Sequence, residues 1–344
     1  MSSSYSVFVR GVSLAEVFYD KDVELSVLNG LTVGVLGYGN QGRAWALNMR
    51  DSGVKVLVGN IRDEYWTRAE EDGFKVLPLD QASANSDILC LLLPDELQPV
   101  VYRDYIEANL SEGKMLVFAH GFSIRYGLIK PPAFVDVGLA APRMIGSGVR
   151  RLYTLGSGAP ALLAVKQDYS GVAWGRLLAL AKALGFTRVG AVKSSFEEET
   201  ELDLFTEQAV MPIILSAFMK AYEILSEAGY SSEAIILELL ASGELIEVFR
   251  QVCKLGLIGQ LPLHSRTSQY GQLSRVQRFI DIVEKPMRLS LEEIRSGLFS
   301  TELILEQRSG YVKFRKLMEE AASHPLCRAE NAIKSKVKIP YDVL

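Results

Sequence analysis

The sequence has few of the residues that would mark a disulfide-stapled, zinc-bound or nucleic-acid-binding protein. Its three cysteines, Cys90, Cys253 and Cys327, lie far apart with neither a CxxC pair nor Cys/His ligand spacing. That pattern argues against a disulfide framework or a structural zinc site and fits a reducing cytoplasm. Positive charge is not in excess: 37 Lys and Arg stand against 41 Asp and Glu, a net −4, so a phosphate backbone is not an expected partner. The longest apolar runs, 88–94 and 209–219, fall short of the ~20 residues that span a bilayer, and no membrane role is expected. Residues 1–16 lack a cationic start followed by an apolar block, so no secretory signal is expected. What remains is an ordinary globular composition, 49% apolar and 23% charged over 344 residues, long enough for about two domains.

In the first half, short apolar runs alternate with helix-length segments. They are LTVGVLG (31–37), VKVLVG (54–59), DILCLLLP (87–94), KMLVFAH (114–120), FVDVGLA (134–140), ALLAVK (161–166) and FTRVGAV (186–192). Near-continuous apolar strands separated by helices indicate a parallel sheet covered on both faces. The expected fold class is an α/β, doubly wound Rossmann domain over 1–193. Helical periodicity replaces the strands after that, in 200–228, 232–252, 271–284, 290–307 and 311–323, so 194–334 is expected to be all-α. The stretch around AVMPIILSAFM is apolar on most of its circumference, which predicts a buried central helix kinked by Pro212. The segment 335–344 is expected to be a solvated tail.

Three motifs carry chemistry. The first, VGVLGYGNQG, places Gly37, Gly39 and Gly42 between a strand and a helix. The glycines allow a tight turn, close approach of a pyrophosphate and tight helix packing, so Gly37 to Gly42, with Tyr38, Asn40 and Gln41, is expected to bind a dinucleotide. The loop after the second strand sets the choice between NADH and NADPH. It offers Arg62 beside Asp63 and Glu64, with Asn60 at the strand end and no serine cluster, which favours NADH. The second motif is EEETELDLFTEQ, with five acids in seven positions. Asp203 and Glu207 stand i, i+4 before a stretch that should be buried, and such hard oxygen ligands suit Mg²⁺. The third is FAHGF, where His120 lies at the carboxyl end of a core strand, the side on which open α/β sheets bind ligands.

Together these motifs resemble one family, ketol-acid reductoisomerase, in its short form. The resemblance begins at FYDKDVELSVLNG (18–30) and runs through LLLPDE, FAHGF, PPAFVDVGLAAPR, AVKQDYSG, SSFEEETELDLFTEQAV, SEAGY, HSRTSQYG (264–271) and GLFSTELILEQRSG (297–310). It implies that the all-α domain is knotted and that the site lies at the interface of a homodimer or higher oligomer. It implies two Mg²⁺ ions, with Asp203 and Glu207 as carboxylate ligands, His120 in the active site and Ser265 on the substrate carboxylate. It also extends the expected cofactor contacts to Arg62, Glu64, Pro94, Asp95, Gln98 and Gly146. The implied substrate is a 2-hydroxy-2-alkyl-3-oxo acid such as 2-acetolactate, of branched-chain amino-acid synthesis. A divergent 2-keto acid reductase and a non-catalytic cofactor-binding protein are the alternatives.

The chain departs from that family in three places near the expected pocket. Two residues are inserted between SEAGY and HSRTS, so the second pair of metal glutamates falls on Glu238 and Ser242 in one register and on Leu240 and Glu244 in the other. Glu238 and Glu244 are about 600° apart on an ideal helix and share a face only through a π-bulge or a break, for which Gly243 is suited. Glu247 shares a face with Glu244 as a substitute. Arg143, followed by Met144 and Ile145, stands where the family has a lysine and small turn residues; a guanidinium fork does not replace an ammonium conservatively. The stretch QLSRVQRF after Gly271 is the third departure.

Overall fold

Valine- and leucine-rich runs of four to seven residues form the strands, with helices between them, in a computed structural model that describes residues 15–337. The chain divides into two compact units, residues 1–200 and 201–344. The division falls inside a helix, a few residues after the 193/194 boundary expected from the sequence.

Among the described residues the first unit holds nine strands: β1 (Val17–Phe18), β2 (Thr32–Leu36), β3 (Lys55–Gly59), β4 (Val76–Leu77), β5 (Ile88–Leu91), β6 (Met115–Phe118), β7 (Asp136–Pro142), β8 (Ala161–Gln167) and β9 (Ala191–Lys193). Their order in one sheet is β1-β9-β8-β7-β6-β5-β2-β3-β4. Between them run α1 (Asn40–Asp51), α2 (Glu64–Glu71), α3 (Leu79–Ala84), α4 (Gln98–Val101), α5 (Phe122–Arg125), α6 (Gly146–Thr154) and α7 (Ala173–Leu184). From β4 to β7 the strands are parallel. Beyond them the sheet is mixed, which corrects the all-parallel expectation. After α6 the chain re-enters the sheet at the end where β7 left it, pairing Ala161 with Pro142, and so β8 runs antiparallel to β7. The two-residue strands β1 and β4 are too short to show a period in sequence.

Alternate residues of the central strands feed two cores. Val33, Val35, Val58, Cys90 and Val117 pack on one face, and Leu36, Leu57, Leu89, Leu91, Leu116 and Phe118 on the other. This two-sided burial is why the strands read as continuous apolar runs. Strand order reverses between β2 and β5, which opens a crevice at their carboxyl ends.

The second unit is helical. It runs from within α8 (Phe196–Phe205) through a π turn (Thr206–Val210), α9 (Met211–Glu227), α10 (Ser232–Ile236), a second π turn (Leu237–Ala241), α11 (Glu244–Leu255), α12 (Arg266–Arg275), α13 (Gln277–Ser296), α14 (Leu298–Arg308), α15 (Val312–Ser323) and α16 (Pro325–Lys336). Pro212 does not break the 196–227 helix. It sits in the first turn of α9, just after the π turn, where a missing N–H is tolerated. The Gln208 carbonyl, left without its i+4 donor, accepts a hydrogen bond from Ser290 Oγ at 3.3 Å. Nor is this helix a buried one within the single chain: Leu215 and Ile224 are 58% and 57% exposed. Among the described residues it is also long and apolar enough, by length and composition, to cross a membrane, with 11% of its most apolar window buried. The uninterrupted apolar runs are as short as the sequence indicates; the helix reaches this apolarity as an average over a longer window. The core within this unit is small, built from Tyr222, Ile235, Ile236, Ala241, Leu326, Ala329 and Ile333 of α9 to α10, the second π turn and α16. Because α16 continues to Lys336 with Ile333 buried, the expected tail begins later than 335; residues 338–344 lie outside the described residues.

Candidate functional site

The glycine loop closes over the crevice between β2 and β5. Gly37 has φ 94°, and a Cβ there would come within 2.7 Å of the Leu92 carbonyl oxygen. A Cβ on Gly42 would lie 2.0 Å from the Gly37 carbonyl oxygen, and one on Gly146 would lie 2.2 Å from that of Asn40. These three positions admit no side chain, because loop, α1 and the start of α6 touch backbone to backbone. At Gly39 the reverse holds: a Cβ would meet nothing of the protein within 4 Å. The open space above Gly39, at the N-terminus of α1, is where a diphosphate fits. Gln41 Nε2 donates to the Met144 carbonyl at 2.9 Å, which ties the loop to the segment before α6. Tyr38 is buried, and its hydroxyl donates to Asp72 Oδ2 at 2.9 Å. Asp72 also receives Nε and Nη2 of Arg43 at 2.7 and 3.0 Å. The Arg43 guanidinium holds the Asp72 carboxyl below its ordinary range, while burial, then the Asp72 partnership, pushes the Tyr38 phenol up. Tyr38 therefore stays a hydrogen-bond donor that anchors the loop from behind.

After β6, His120 points into the same end of the sheet. Its Nδ1 lies 2.8 Å from Asp95 Oδ2; a carboxylate oxygen accepts, so Nδ1 carries the proton and the ring is held in one tautomer. Gln98 is buried, and its amide is used up within the protein. Nε2 donates to the Leu93 carbonyl and to Asp95 Oδ1, and Oε1 accepts from Ser123. Asp95, expected as a cofactor contact, accepts from His120, and Gln98 supports Asp95 from behind.

Sequence reasoning passed over Glu199. It is fully buried in the first turns of α8, accepts the Gly121 N–H at 2.8 Å through Oε2, and accepts Arg143 Nη2 at 2.6 Å through Oε1. Burial raises its carboxyl above the ordinary range, against the opposing pull of His120 and Arg143. The glycine of FAHGF now has its reason. A Cβ on Gly121 would come within 2.4 Å of Thr200 Oγ1 and 2.8 Å of the Phe196 carbonyl, so α8 can cross here only over glycine. The signal for Glu199 was present as spacing, since it precedes Asp203 by four residues on one helix face. Its acidic neighbours masked it as one of an exposed run.

In the second unit, Asp203 is half-buried on α8, and Glu207 is exposed in the π turn that follows. The segment 238–247 contains both devices that its spacing required. Glu238 sits in the π turn Leu237–Ala241, and Gly243, at φ 82°, breaks the helix so that Glu244 starts α11. Glu247 is committed elsewhere, to Arg250 and to Gln251 Nε2. Ser265 caps α12, its Oγ accepting the Ser268 N–H at 3.3 Å, which leaves its own proton available for an anionic group. Asp203, Glu207, Glu238 and Glu244 each carry hard oxygen donors of the kind that suit Mg²⁺, but among the described residues they are not gathered into one cluster within a single chain.

The sequence profile described as "Acetohydroxy acid isomeroreductase, NADPH-binding domain" matches residues 27–190, and "Ketol-acid reductoisomerase, C-terminal domain" matches 196–339. The chain belongs to the ketol-acid reductoisomerase family. It is 46% identical over 316 residues to the ketol-acid reductoisomerase (NADP(+)) of Methanopyrus kandleri, covering 91% of this chain and 95% of that one. A putative ketol-acid reductoisomerase 3 of Saccharolobus solfataricus is 42% identical, again over 91% and 95% of the two chains. Among solved structures, an NADH-preferring ketol-acid reductoisomerase from an uncultured archean superposes with a TM-score of 0.89 at 35% identity, over 93% of this chain and 98% of that one. As a member of this family the protein is an NAD(P)H-dependent oxidoreductase with a Rossmann-like domain followed by a helical one.

Proposed function

We propose that the protein converts 2-acetolactate, or a homologous 2-hydroxy-2-alkyl-3-oxo acid, to the 2,3-dihydroxy acid with NAD(P)H and Mg²⁺, as a cytoplasmic enzyme of branched-chain amino-acid synthesis. The observation that carries this reading is the pairing of an Asp95-oriented His120 with the buried Glu199–Arg143 ion pair at the strand ends, beside a glycine loop open at Gly39. In the first step C2 loses its hydroxyl proton and its alkyl group moves to C3, leaving a ketone at C2 and a hydroxyl at C3. In the second, hydride from the nicotinamide reaches C2 and a proton reaches its oxygen. Bound Mg²⁺ supplies Lewis acidity for the oxygens that gain charge, and Asp203 and Glu207, with Glu238 and Glu244, are the residues that would hold it. His120 exchanges a proton through Nε2, kept in one tautomer by Asp95. Arg143 cannot give up a proton at neutral pH, so its role is a fixed positive charge beside Glu199. Ser265 donates to the substrate carboxylate.

The site is completed in an oligomer of this chain. The second unit buries few of its own apolar side chains and leaves Leu215, Ile224, Phe249, Leu257 and Ile258 more than half exposed. A second copy is the occupant that this pattern and the family membership favour. Cofactor oxidation at 340 nm with 2-acetolactate and Mg²⁺, beside 3-hydroxy-3-methyl-2-oxobutanoate, tests the reaction. Turnover of both is expected. Turnover of the second compound alone would favour a 2-keto acid reductase, a reading for which the rearranged 238–247 segment is the specific support.

A further inference from the structure

Between α11 and α12 the chain makes one turn of 3₁₀ helix, Leu261–Leu263, and then two extended residues, His264 and Ser265. The helical ladders end at the edges of this pair, with the His264 N–H on the Leu261 carbonyl, so its placement depends on side chains. Burial in the segment runs against ordinary packing. Leu257, Ile258 and Leu263 are more than half exposed, while Gln260 is 4% exposed. Burying a glutamine is costly unless its polar atoms are paired, and both ends of this amide are. Gln260 Nε2 donates to the Leu257 carbonyl at 3.3 Å, which turns Oε1 toward His264 Nε2 at 2.7 Å. An amide oxygen only accepts, so His264 Nε2 carries a proton.

Gln269, one turn into α12, grips the same pair from the other side. Its Nε2 donates to the His264 carbonyl at 2.7 Å, and its backbone N–H donates to the Ser265 carbonyl at 3.0 Å. Gln260 thus holds the imidazole and Gln269 holds the two carbonyls that follow it, so the backbone of Ser265 is fixed before α12 begins. The serine hydroxyl accepts the Ser268 N–H at 3.3 Å, and its own proton is left to donate. For stability alone, apolar groups of the same shape at 260 and 264 would serve about as well; directional bonds to one ring nitrogen are what fixed placement requires. We infer that His264, held by Gln260 and Gln269, is a positioning residue that sets where the Ser265 hydroxyl meets the substrate carboxylate. This inference rests on the role proposed above for Ser265 and adds the residues that place it.

Steady-state kinetics of the full chain with 2-acetolactate, Mg²⁺ and NAD(P)H is the test. His264→Phe and Gln260→Met each remove the bond between the two side chains while keeping close to the original volume. Each is expected to raise KM about tenfold, the scale of one hydrogen bond, with kcat nearly unchanged, because a carboxylate contact is made alike in ground and transition states. Should His264→Phe fail to fold, Gln260→Met carries the same comparison. Gln260→Glu keeps an acceptor for the Nε2 proton and should bring KM back toward the natural value. The deciding readout is coupling to the serine: in a Ser265→Ala chain, whose own KM is raised, His264→Phe should change nothing further. A natural KM in both His264→Phe and Gln260→Met, or an increase that multiplies that of Ser265→Ala, would overturn the inference while leaving the reaction and Ser265 in place. A natural KM in Ser265→Ala would instead remove the serine from the substrate site, and this inference with it.

Discussion

His120 and Asp72 act through short hydrogen bonds to named partners, and each can be tested by a single substitution. Replacing Asp95 by Asn removes the fixed acceptor for His120 Nδ1, so both imidazole tautomers become populated. A loss of about 10–100-fold in kcat/KM is expected, the range found for outer partners of site histidines, with little change in melting temperature; an unaltered rate would show that Asp95 does not orient the ring. Asp72 gives a pH signature. Its folded carboxyl lies below its ordinary value because of the Arg43 hydrogen bonds. The unfolded chain therefore binds a proton before the folded one does, and the stability from this pair is present above the ordinary carboxyl pKa and lost as pH falls through the lower folded value. Asp72→Asn should cost about 1–3 kcal/mol at neutral pH, a difference that shrinks in urea titrations run below about pH 4. A constant difference across pH would contradict the ion pair as its source.

At the scale of elements, the glycines decide where helices pass and end. Gly121→Ala would force α8 away from β6 or disrupt the Gly121 to Glu199 hydrogen bond. A destabilisation of about 1–3 kcal/mol, as for overpacked cores, is expected in denaturant unfolding together with lower activity. The first-unit strands were legible because each is buried on both faces, and the glycine loop because its spacing is backbone sterics written in sequence. The reversal of β8 was not legible, since direction depends on where α6 returns the chain and no strand records it. Glu199 stayed hidden because burial, not residue type, separates it from Glu197 and Glu198. The expected need for a bulge or a break between Glu238 and Glu244 came from helical geometry alone, and the π turn and Gly243 supply both. Gly243→Ala places a Cβ in the left-handed region at about 1–2 kcal/mol and should redirect Glu244. Mn²⁺ binding counted by electron paramagnetic resonance should fall from two ions per chain to one, and an unchanged count would remove Glu244 from the ligand set.

At the scale of the whole molecule, the two units are unequal in self-sufficiency. The first buries two sheet-covering cores, while among the described residues the cluster within the second comprises seven and leaves Leu215 and Ile224 of α9 and Phe249 of α11 more than half exposed. A helix that passes the composition test for a membrane span yet carries Asp203 and Glu207 near one end is better accounted for by a protein partner than by lipid, because carboxylates in hydrocarbon are costly. The natural chain should therefore run in light scattering at a multiple of 38.0 kDa. Leu215→Glu with Phe249→Glu places two charges on that face, at positions 58% and 55% exposed in the single chain. The doubly substituted protein should run at 38.0 kDa, lose acetolactate turnover and still bind dinucleotide, since the glycine loop and its Tyr38–Asp72–Arg43 anchor belong to the first unit alone. Full turnover by a 38.0 kDa species would show that one chain closes its own site, and the exposed apolar side chains of α9 and α11 would then need another explanation.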